Sequence, residues 1–206
     1  MKKDELKIII DYVEGRLSAD DFKVEFDNNK KLQALLKRKV KLEFLKNHDY
    51  SVYNYFKYSA NYPANGWNTV YVRKRLQAVL EAWLKYFDIA FCEYEKYSED
   101  VGYLLKIQPS WLDIIDDQGI FDKIIAEAPS DVSKTKRIAW GKARIKELFR
   151  YDKTYPRWGQ SPEWPIVNGK PLVFSHQSKE KKDDERVFYY FYDPDTKEET
   201  VVEQMY

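Results

Sequence analysis

The chain is poor in the residues that catalysis, metal binding and disulfide formation usually need. It has one cysteine, Cys92, which excludes an internal disulfide, and only two histidines, His48 and His176. It contains no glycine-rich phosphate loop, His-Glu-x-x-His motif, cysteine pair or nucleophile elbow. Ser175 and His176 are neighbours on a predicted strand, so they should point to opposite faces and could not act as nucleophile and base. We therefore expect no enzymatic activity, no metal site and no cofactor.

The chain also lacks a long apolar run and a large net charge. No apolar run approaches the roughly 20 residues that span a bilayer, and the opening MKKDELKIII lacks the apolar core of a signal peptide. The 35 lysine and arginine residues nearly balance the 34 aspartate and glutamate residues, so the whole molecule should not attract nucleic acid or anionic lipid. We expect a cytoplasmic protein that binds no membrane. Cys92 lies next to the apolar stripe of a predicted helix and is interpreted as an inert core thiol.

Aromatic residues, by contrast, are abundant, at 17% of the chain with 17 tyrosines. Tyrosine is enriched at protein interfaces because it has an apolar ring and a hydroxyl that can stay hydrated. This composition favours a recognition protein.

The spacing of apolar residues predicts a helical body over about residues 1–150. Two short helices should open it, separated by a stop at Gly15 and by an N-cap at Ser18. Further helices are predicted over residues 31–46, in the Tyr50 to Trp67 segment before a loop, over 69–97, from Pro109, and from Pro129 to Phe149. The long helix over 69–97 has the clearest amphipathic pattern and should form the spine of the body.

After Tyr151 the composition changes. The stretch PRWGQSPEWPIVNGKPLVFSHQ cannot be helical, because each proline removes a backbone donor and biases its predecessor toward an extended conformation. The segments PLVFSHQ, RVFYYFY and TVVEQMY read as strands, the last two joined by a turn over residues 193–196. We predict one α+β domain over residues 1–206. A connector and a three-stranded antiparallel meander, over about 151–206, should pack on the helical body.

Two predicted helical segments are strongly basic. Residues 30–46 hold seven bases against one acid, and residues 134–153 hold eight against two. Such helices could hold nucleic acid, and that is the alternative function. Solvated helix faces have the same pattern, and the acidic stretch over residues 4–28 can offset these charges. We therefore expect no nucleic-acid binding near physiological salt.

The candidate contact site is a short segment that combines an aromatic residue with carboxylates. It consists of Trp111, Asp113, Asp116, Asp117 and Asp122. A helix starting at Pro109 would place the carboxylates of Asp113, Asp116 and Asp117 on one face. The proline break should leave the segment on the surface, with Trp111 as the anchor of a partner contact. The spacing matches no metal motif, and acids in a first helical turn are also ordinary partners of the helix dipole.

Two segments resemble known families. SPEWPIVNGKPLVFSHQ, followed by VFYYFYDPDTKEETVVEQ, resembles the Trp-Pro, Asn-Gly-Lys-Pro-Leu, strand and Gln arrangement of the YwqG-like bacterial family. That resemblance covers about the last fifty residues and implies a β structure there. In this segment Asn168 and Gly169 should supply the turn before the first strand, and the tryptophans should pin the connector to the body.

The second resemblance lies near the start of the chain. DYVEGRLSADDFKVEF is similar to the opening of small helical immunity proteins, including colicin-type ones, with Gly15, Leu17, Ser18 and Phe22 carrying the pattern. The same sequence pattern also arises where a glycine ends one helix and a serine caps the next. The resemblance implies a bacterial immunity protein that binds a cognate toxin domain, nucleases included, and blocks it without catalysis.

Overall fold

The structure is a computed structural model that describes residues 3–59, 67, 69–114, 119–180 and 183–205, and it has an α+β fold, as predicted. The helices are α1 Lys3–Val13, α2 Ala19–Asn28, α3 Lys30–Leu36, the 3-10 helix η1 Glu43–His48, α4 Val52–Ser59, α5 Val70–Tyr86, α6 Lys96–Ile107, α7 Ile120–Glu127 and α8 Lys134–Leu148. The strands are β1 Ile166–Val167, β2 Lys170–Pro171, β3 Val173–Glu180, β4 Asp183–Tyr192 and β5 Glu199–Met205.

The chain divides into two compact units, Met1–Val101 and Gly102–Tyr206. Helix α8 therefore belongs with the connector and the sheet, although the sequence grouped it with the other helices. The single domain stays a prediction, because the division does not show whether the two units unfold together.

In the first unit the predicted start of the chain is confirmed. The Ser18 hydroxyl accepts a hydrogen bond from the Asp21 amide at 3.1 Å and caps α2. Gly15 has a φ of 72°, and a Cβ there would lie 2.6 Å from the ring of Tyr94. Only glycine fits this turn, since both the backbone conformation and the available space exclude a side chain.

The core of the first unit is built around the ring of Phe22. Tyr12 stacks on that ring with 4.6 Å between centroids, and Phe56 and Trp67 contact it from other directions. Gln77 is fully buried, and its amide donates to the backbone carbonyls of Val13 and Tyr94. These contacts join the first helix, α5 and the chain that follows α5.

The predicted helix over residues 31–46 is wrong in length. Helix α3 ends at Leu36, an extended segment follows, and η1 begins at Glu43. After Leu36, Val40 is buried and Leu42 is half-buried. Residues two positions apart lie on the same side of an extended chain, so this spacing favours an extended segment over a helix. The amide of Val40 donates to the carbonyl of Tyr50 at 2.9 Å, which fixes the extended segment against the end of η1.

The long helix is also shorter than predicted. Helix α5 ends at Tyr86, and Asp88 adopts a φ of 54°. The amides of Asp88 and Ile89 donate to the carbonyls of Lys85 and Leu84, respectively, which is the Schellman pattern with aspartate where glycine is usual. The predicted core thiol is wrong for the same reason: Cys92 lies beyond the helix and is exposed.

In the second unit the Trp-rich connector packs beneath the sheet. Trp164 contacts Phe149 at 5.6 Å and Phe191 at 5.3 Å between ring centroids. Trp158 lies 4.4 Å from the ring of Tyr189, and its indole nitrogen donates to the carbonyl of Trp111 at 2.9 Å. The prolines keep this segment out of a helix, and the two tryptophans bind it to the end of α8 and to the sheet.

The meander is confirmed, with strand order β3-β4-β5 and antiparallel pairing throughout. Strands β1 and β2 form a small hairpin through Asn168 and Gly169, both with positive φ, as the Asn-Gly pair predicted. The turn between β4 and β5 is held by Asp193, whose carboxylate accepts from the amides of Asp195 and Thr196.

Candidate partner-binding surface

The predicted contact site does not form the surface that the sequence suggested. Trp111 is buried, with 7% of its area exposed, and packs against Trp164 at 5.3 Å and Tyr155 at 6.1 Å. No helix starts at Pro109: the described residues 109–114 form a turn and an irregular segment, and α7 begins at Ile120. Trp111 is therefore a core residue of the second unit, and its role as an exposed anchor is wrong.

The four acids of that site have different environments. Asp113 is half-buried in the irregular segment, so it does not share a helix face with the others. Asp122 lies in the first turn of α7, where a carboxylate is favoured by the helix dipole. Both make contacts with the rest of the protein. Asp116 and Asp117 lie outside the described residues, so their part in a contact stays a prediction.

A different surface combines half-buried aromatic rings with exposed acids: the face of the β3-β4-β5 sheet that points away from the connector. In β4, Val187, Tyr189 and Phe191 are buried on the inner face, so the residues between them lie on the opposite one. We call this the outer face; with the residues paired to it across the sheet it comprises His176, Ser178, Arg186, Phe188, Tyr190, Tyr192, Glu199, Val201, Glu203 and Met205.

The middle of the outer face is aromatic. His176 stacks on Tyr190 with 4.4 Å between ring centroids and an interplanar angle of 2°. Val201 lies on the other side of Tyr190 across the sheet and is 49% exposed, as is Met205 at the end of β5. An exposed aliphatic side chain beside aromatic rings has the composition of the centre of many protein contacts.

A bulge in β3 changes the predicted relation of Ser175 and His176. The register shifts between Phe174 and His176, and the Ser175 hydroxyl lies 3.2 Å from Nδ1 of His176. The prediction that the two side chains point to opposite faces of the strand is therefore wrong. Within the described residues no carboxylate is hydrogen-bonded to the imidazole, so the group that would orient a catalytic histidine is not found there.

The charges on and beside the outer face are mainly negative. Residues 183–203 contain eight acids and two bases. On the face itself Glu203 lies 3.4 Å from Arg186, while no described cation lies within ion-pair distance of the exposed Glu199. Both members of the Glu203 pair are about half exposed, so solvent screens their attraction and leaves the carboxylate available to another cation.

One end of the outer face is tied to the chain after α8. The Tyr192 hydroxyl donates to Asp152 at 3.0 Å, and this hydrogen bond, with a smaller effect of burial, raises the pKa of Tyr192. Lys170 donates to Asp195 at 2.9 Å and holds the pKa of that carboxyl below its usual range. These contacts fix the orientation of the turn from which β5 starts.

The first unit carries a surface of the opposite sign. Lys37 lies over the ring of Tyr53 at 4.4 Å, and Arg38 lies over the ring of Phe87 at 4.8 Å. Among the described residues no acid pairs with Lys37, Arg38 or Lys41, whereas Lys39 pairs with Asp49. We call this group of Lys37, Arg38, Lys41 and Tyr53 the basic surface.

Comparisons with protein-family models, with curated proteins and with solved structures find no match. Within the described ranges no group of three or more histidine, cysteine, aspartate or glutamate side chains is placed to hold a metal ion. No helix in that part of the chain is long and apolar enough to cross a bilayer.

Sequence reasoning missed the outer face, although one signal for it was present. RVFYYFY has large side chains at consecutive positions, so both faces of the strand carry apolar groups. A strand in a sheet covered on one side needs only alternate apolar positions. Phe188, Tyr190 and Tyr192 are therefore not needed for the core and could form a contact surface on the other face of the strand. Their neighbours on β3 and β5 become known only from the register of the sheet.

Proposed function

We propose that the protein is a cytoplasmic bacterial binding protein that neutralises a cognate toxin domain by blocking its active site. The observation that carries the proposal is the outer face, on which half-buried aromatic rings and exposed aliphatic groups lie beside carboxylates that lack a full set of cationic partners among the described residues. The similarity of Gly15, Leu17, Ser18 and Phe22 to the opening of immunity proteins supports the choice of a toxin as the partner. In this chain the same four residues also have structural roles, so this sequence pattern supports the proposal less strongly than the outer face does.

The chemistry of the outer face fits a basic partner. A nuclease toxin must hold phosphates in a positively charged groove, and a protein that blocks such a groove offers carboxylates to it. Tyr190 and Val201 would supply the desolvated centre of the contact, and Glu199 and Glu203 would supply its charge. Tyrosine side chains often dominate the binding energy at such centres, while the charges mainly raise the association rate.

The proposal is tested by toxin neutralisation in cells. The chain is co-expressed with the product of each adjacent gene that stops growth when expressed alone. We expect one such toxin to be neutralised by the wild type and by Lys142→Glu, a control on the exposed side of α8. The double variant Glu199→Lys/Glu203→Lys should lose neutralisation while it keeps its melting temperature. If no adjacent gene product is toxic, or if the double variant protects as well as the wild type, the proposal is wrong.

A second candidate function is nucleic-acid binding, favoured by the basic surface of the first unit. Lys37, Arg38 and Lys41 are free of acidic partners among the described residues, so their charges are available to phosphates. This function predicts an affinity for DNA whose logarithm falls with the logarithm of salt concentration, by about 0.9 for each phosphate contacted on a duplex. Binding that is absent at physiological salt, in wild type and in Lys37→Glu/Lys41→Glu alike, rejects it.

A further inference from the structure

The two edges of the C-terminal sheet differ in how they are protected. Along β3, the amide of Phe174 donates to the carbonyl of Arg150 at 2.9 Å, and the amide of Asp152 donates to the carbonyl of Phe174 at 3.0 Å. Farther along, the amide of Arg157 donates to the side chain of Gln177. The register of β3 is also irregular at two places. Bulges and covering segments are the usual means by which a sheet closes an edge.

Among the residues that the structure describes, the other edge, β5, has neither form of protection over most of its length. It pairs with β4 in continuous register from Glu199 to Met205, without a bulge, and it contains no proline. The amide of Asp193 donates to the carbonyl of Glu198 at 2.9 Å, so these two residues form a hydrogen-bonded pair of the β4–β5 hairpin. Since bonded and non-bonded pairs alternate in an antiparallel ladder, Glu199, Val201 and Glu203 direct their amides and carbonyls away from β4.

A second contact confirms which residues of β5 direct their backbone groups away from β4. Met205 belongs to the same alternate set, and its carbonyl accepts from Nε2 of Gln160 at 2.6 Å, outside the β4–β5 ladder. The Gln160 side chain thus occupies the last position of the edge. The three outward-directed positions before it, Glu199, Val201 and Glu203, present three amides and three carbonyls along the side of the strand that faces away from β4.

The geometry points to the β5 edge as the place where an extended, basic segment of the partner adds as a fourth strand; the inference rests on the proposed function for the identity of that partner. The side chains at the three open positions lie on the outer face, where two carboxylates flank Val201. An added strand would place alternate residues beside them. It would therefore need lysine or arginine four positions apart with an aliphatic residue between them, because opposite charges stabilise directly paired positions.

The same charges disfavour a second copy of the chain as the occupant. Antiparallel self-pairing that uses all three open positions must be centred on Val201, and it would place Glu199 of one copy beside Glu203 of the other, twice. Like charges directly opposite each other destabilise strand pairing. A shifted register would use fewer positions or the carbonyl that Gln160 already occupies.

The test uses the full chain, labelled with nitrogen-15, and a pair of matched peptides. The basic peptide has eight residues, with lysine at its second and sixth positions, valine at its fourth and threonine elsewhere; the acidic peptide has glutamate in place of both lysines. We expect the basic peptide to shift the amide signals of Glu199, Val201 and Glu203 and to bind roughly tenfold more tightly than the acidic one. In Glu199→Lys/Glu203→Lys the preference should reverse.

Two substitutions at one position separate the backbone from the side chain. Val201→Pro removes an amide that points away from β4, so the sheet should keep its internal ladder, as circular dichroism and the melting temperature would show. This variant should bind the basic peptide roughly tenfold more weakly than the wild type. Val201→Thr keeps the amide and changes only the side chain, so it should bind the basic peptide more tightly than Val201→Pro does.

Three results would overturn the inference: no shift of the β5 signals by either peptide at millimolar concentration, binding that Val201→Pro leaves unchanged, or a dimer of the full chain through β5 that excludes the peptide. Toxin neutralisation by Val201→Pro distinguishes the failures. If this variant still neutralises the toxin, strand addition is wrong and the proposed function stands. If the wild type neutralises none, the proposed function fails, whatever the peptides do.

Discussion

Gln204 shows at the residue scale how the connector is held under the sheet. It is buried in β5, with 2% of its area exposed. Its side-chain oxygen accepts from the amides of Gly159 and Gln160, and its amide nitrogen donates to the carbonyl of Ser161 at 2.8 Å. One side chain therefore bonds three backbone groups of a segment that has no regular secondary structure, and one of these, the Gly159 amide, also donates to the Tyr189 hydroxyl.

Replacing Gln204 by methionine should destabilise the protein. The new side chain has a similar shape but cannot bond the three backbone groups, so we expect the free energy of unfolding to fall by about 2–3 kcal/mol. Gln160→Met is the matched control, since Gln160 makes one exposed hydrogen bond to Met205 and its loss should cost less than about 1 kcal/mol. Urea unfolding measures both. Equal losses in the two variants would contradict the account.

Tyr12 gives stability a dependence on alkaline pH. It is fully buried, and its hydroxyl donates to the carbonyl of Arg73 at 3.2 Å. Burial, with a smaller contribution from Tyr97, raises the pKa of Tyr12 far above its usual value. A raised pKa means that the unfolded chain loses this proton first, so the contribution of Tyr12 to stability is complete below pH 10 and falls as the pH rises past 10.

The variant Tyr12→Phe should therefore be less sensitive to alkali than the wild type. At neutral pH it loses about 0.5–1.5 kcal/mol with its hydrogen bond, but its free energy of unfolding should fall less steeply above pH 10. By pH 11 the wild type should have lost about 1.4 kcal/mol more of its free energy of unfolding than Tyr12→Phe has. Unfolding in urea at pH 7.5 and pH 11 gives the comparison, with Tyr86→Phe, at an exposed position, as the control that should follow the wild type. If Tyr12→Phe and the wild type lose the same free energy of unfolding between pH 7.5 and pH 11, Tyr12 is not the source of the sensitivity to alkali.

At the scale of the elements, the sequence predicted the parts whose signals are local. The stop at Gly15, the cap at Ser18 and the turn at Asn168 and Gly169 each depend on residues within a few positions of one another, and all three are confirmed. The end of α5 was missed because Asp88 takes a conformation in which glycine is the usual signal.

The candidate site depended on information that a single segment does not contain. Trp111, Leu112 and Ile114 are all buried, although they lie in a turn and an irregular segment rather than in a helix. Their position follows from Trp158 and Trp164, more than forty residues later, which pack on or bond to Trp111. The outer face likewise required the pairing of three strands and a bulge beside Ser175 before its residues could be grouped.

The contact of α6 with α8 gives a prediction at this scale. A Cβ at Gly141 would meet the Tyr103 hydroxyl and lie 2.8 Å from Cγ2 of Ile107, so Gly141→Ala gains helix propensity but forces the two helices apart. Overpacking costs about 1–3 kcal/mol, which exceeds the gain of about 1 kcal/mol from alanine. We expect net destabilisation. Gly102→Ala, with nothing within 4 Å of its Cβ, should stabilise by about 0.5–1 kcal/mol. Thermal melting compares them, and a stabilised Gly141→Ala would refute the close packing.

For the whole molecule, a nearly neutral chain proves to carry separated charges. The outer face and the turn before it are acidic, whereas the basic surface of the first unit has lysines without acidic partners among the described residues. A net charge near zero therefore says little about recognition, because each surface acts over about a Debye length, near 8 Å at physiological ionic strength. The two surfaces favour partners of opposite sign and cannot both be the toxin contact.

Amide hydrogen exchange of the chain, alone and with the toxin domain that it neutralises, tests the central claim most directly. The amides of Glu199, Val201 and Glu203 point away from β4, so they should exchange rapidly in the free chain and slowly in the complex. The amides of Lys37, Arg38 and Lys41 should exchange at the same rate in both. Slower exchange at these three basic positions, with no change along β5, would contradict the claim that the sheet is the binding surface.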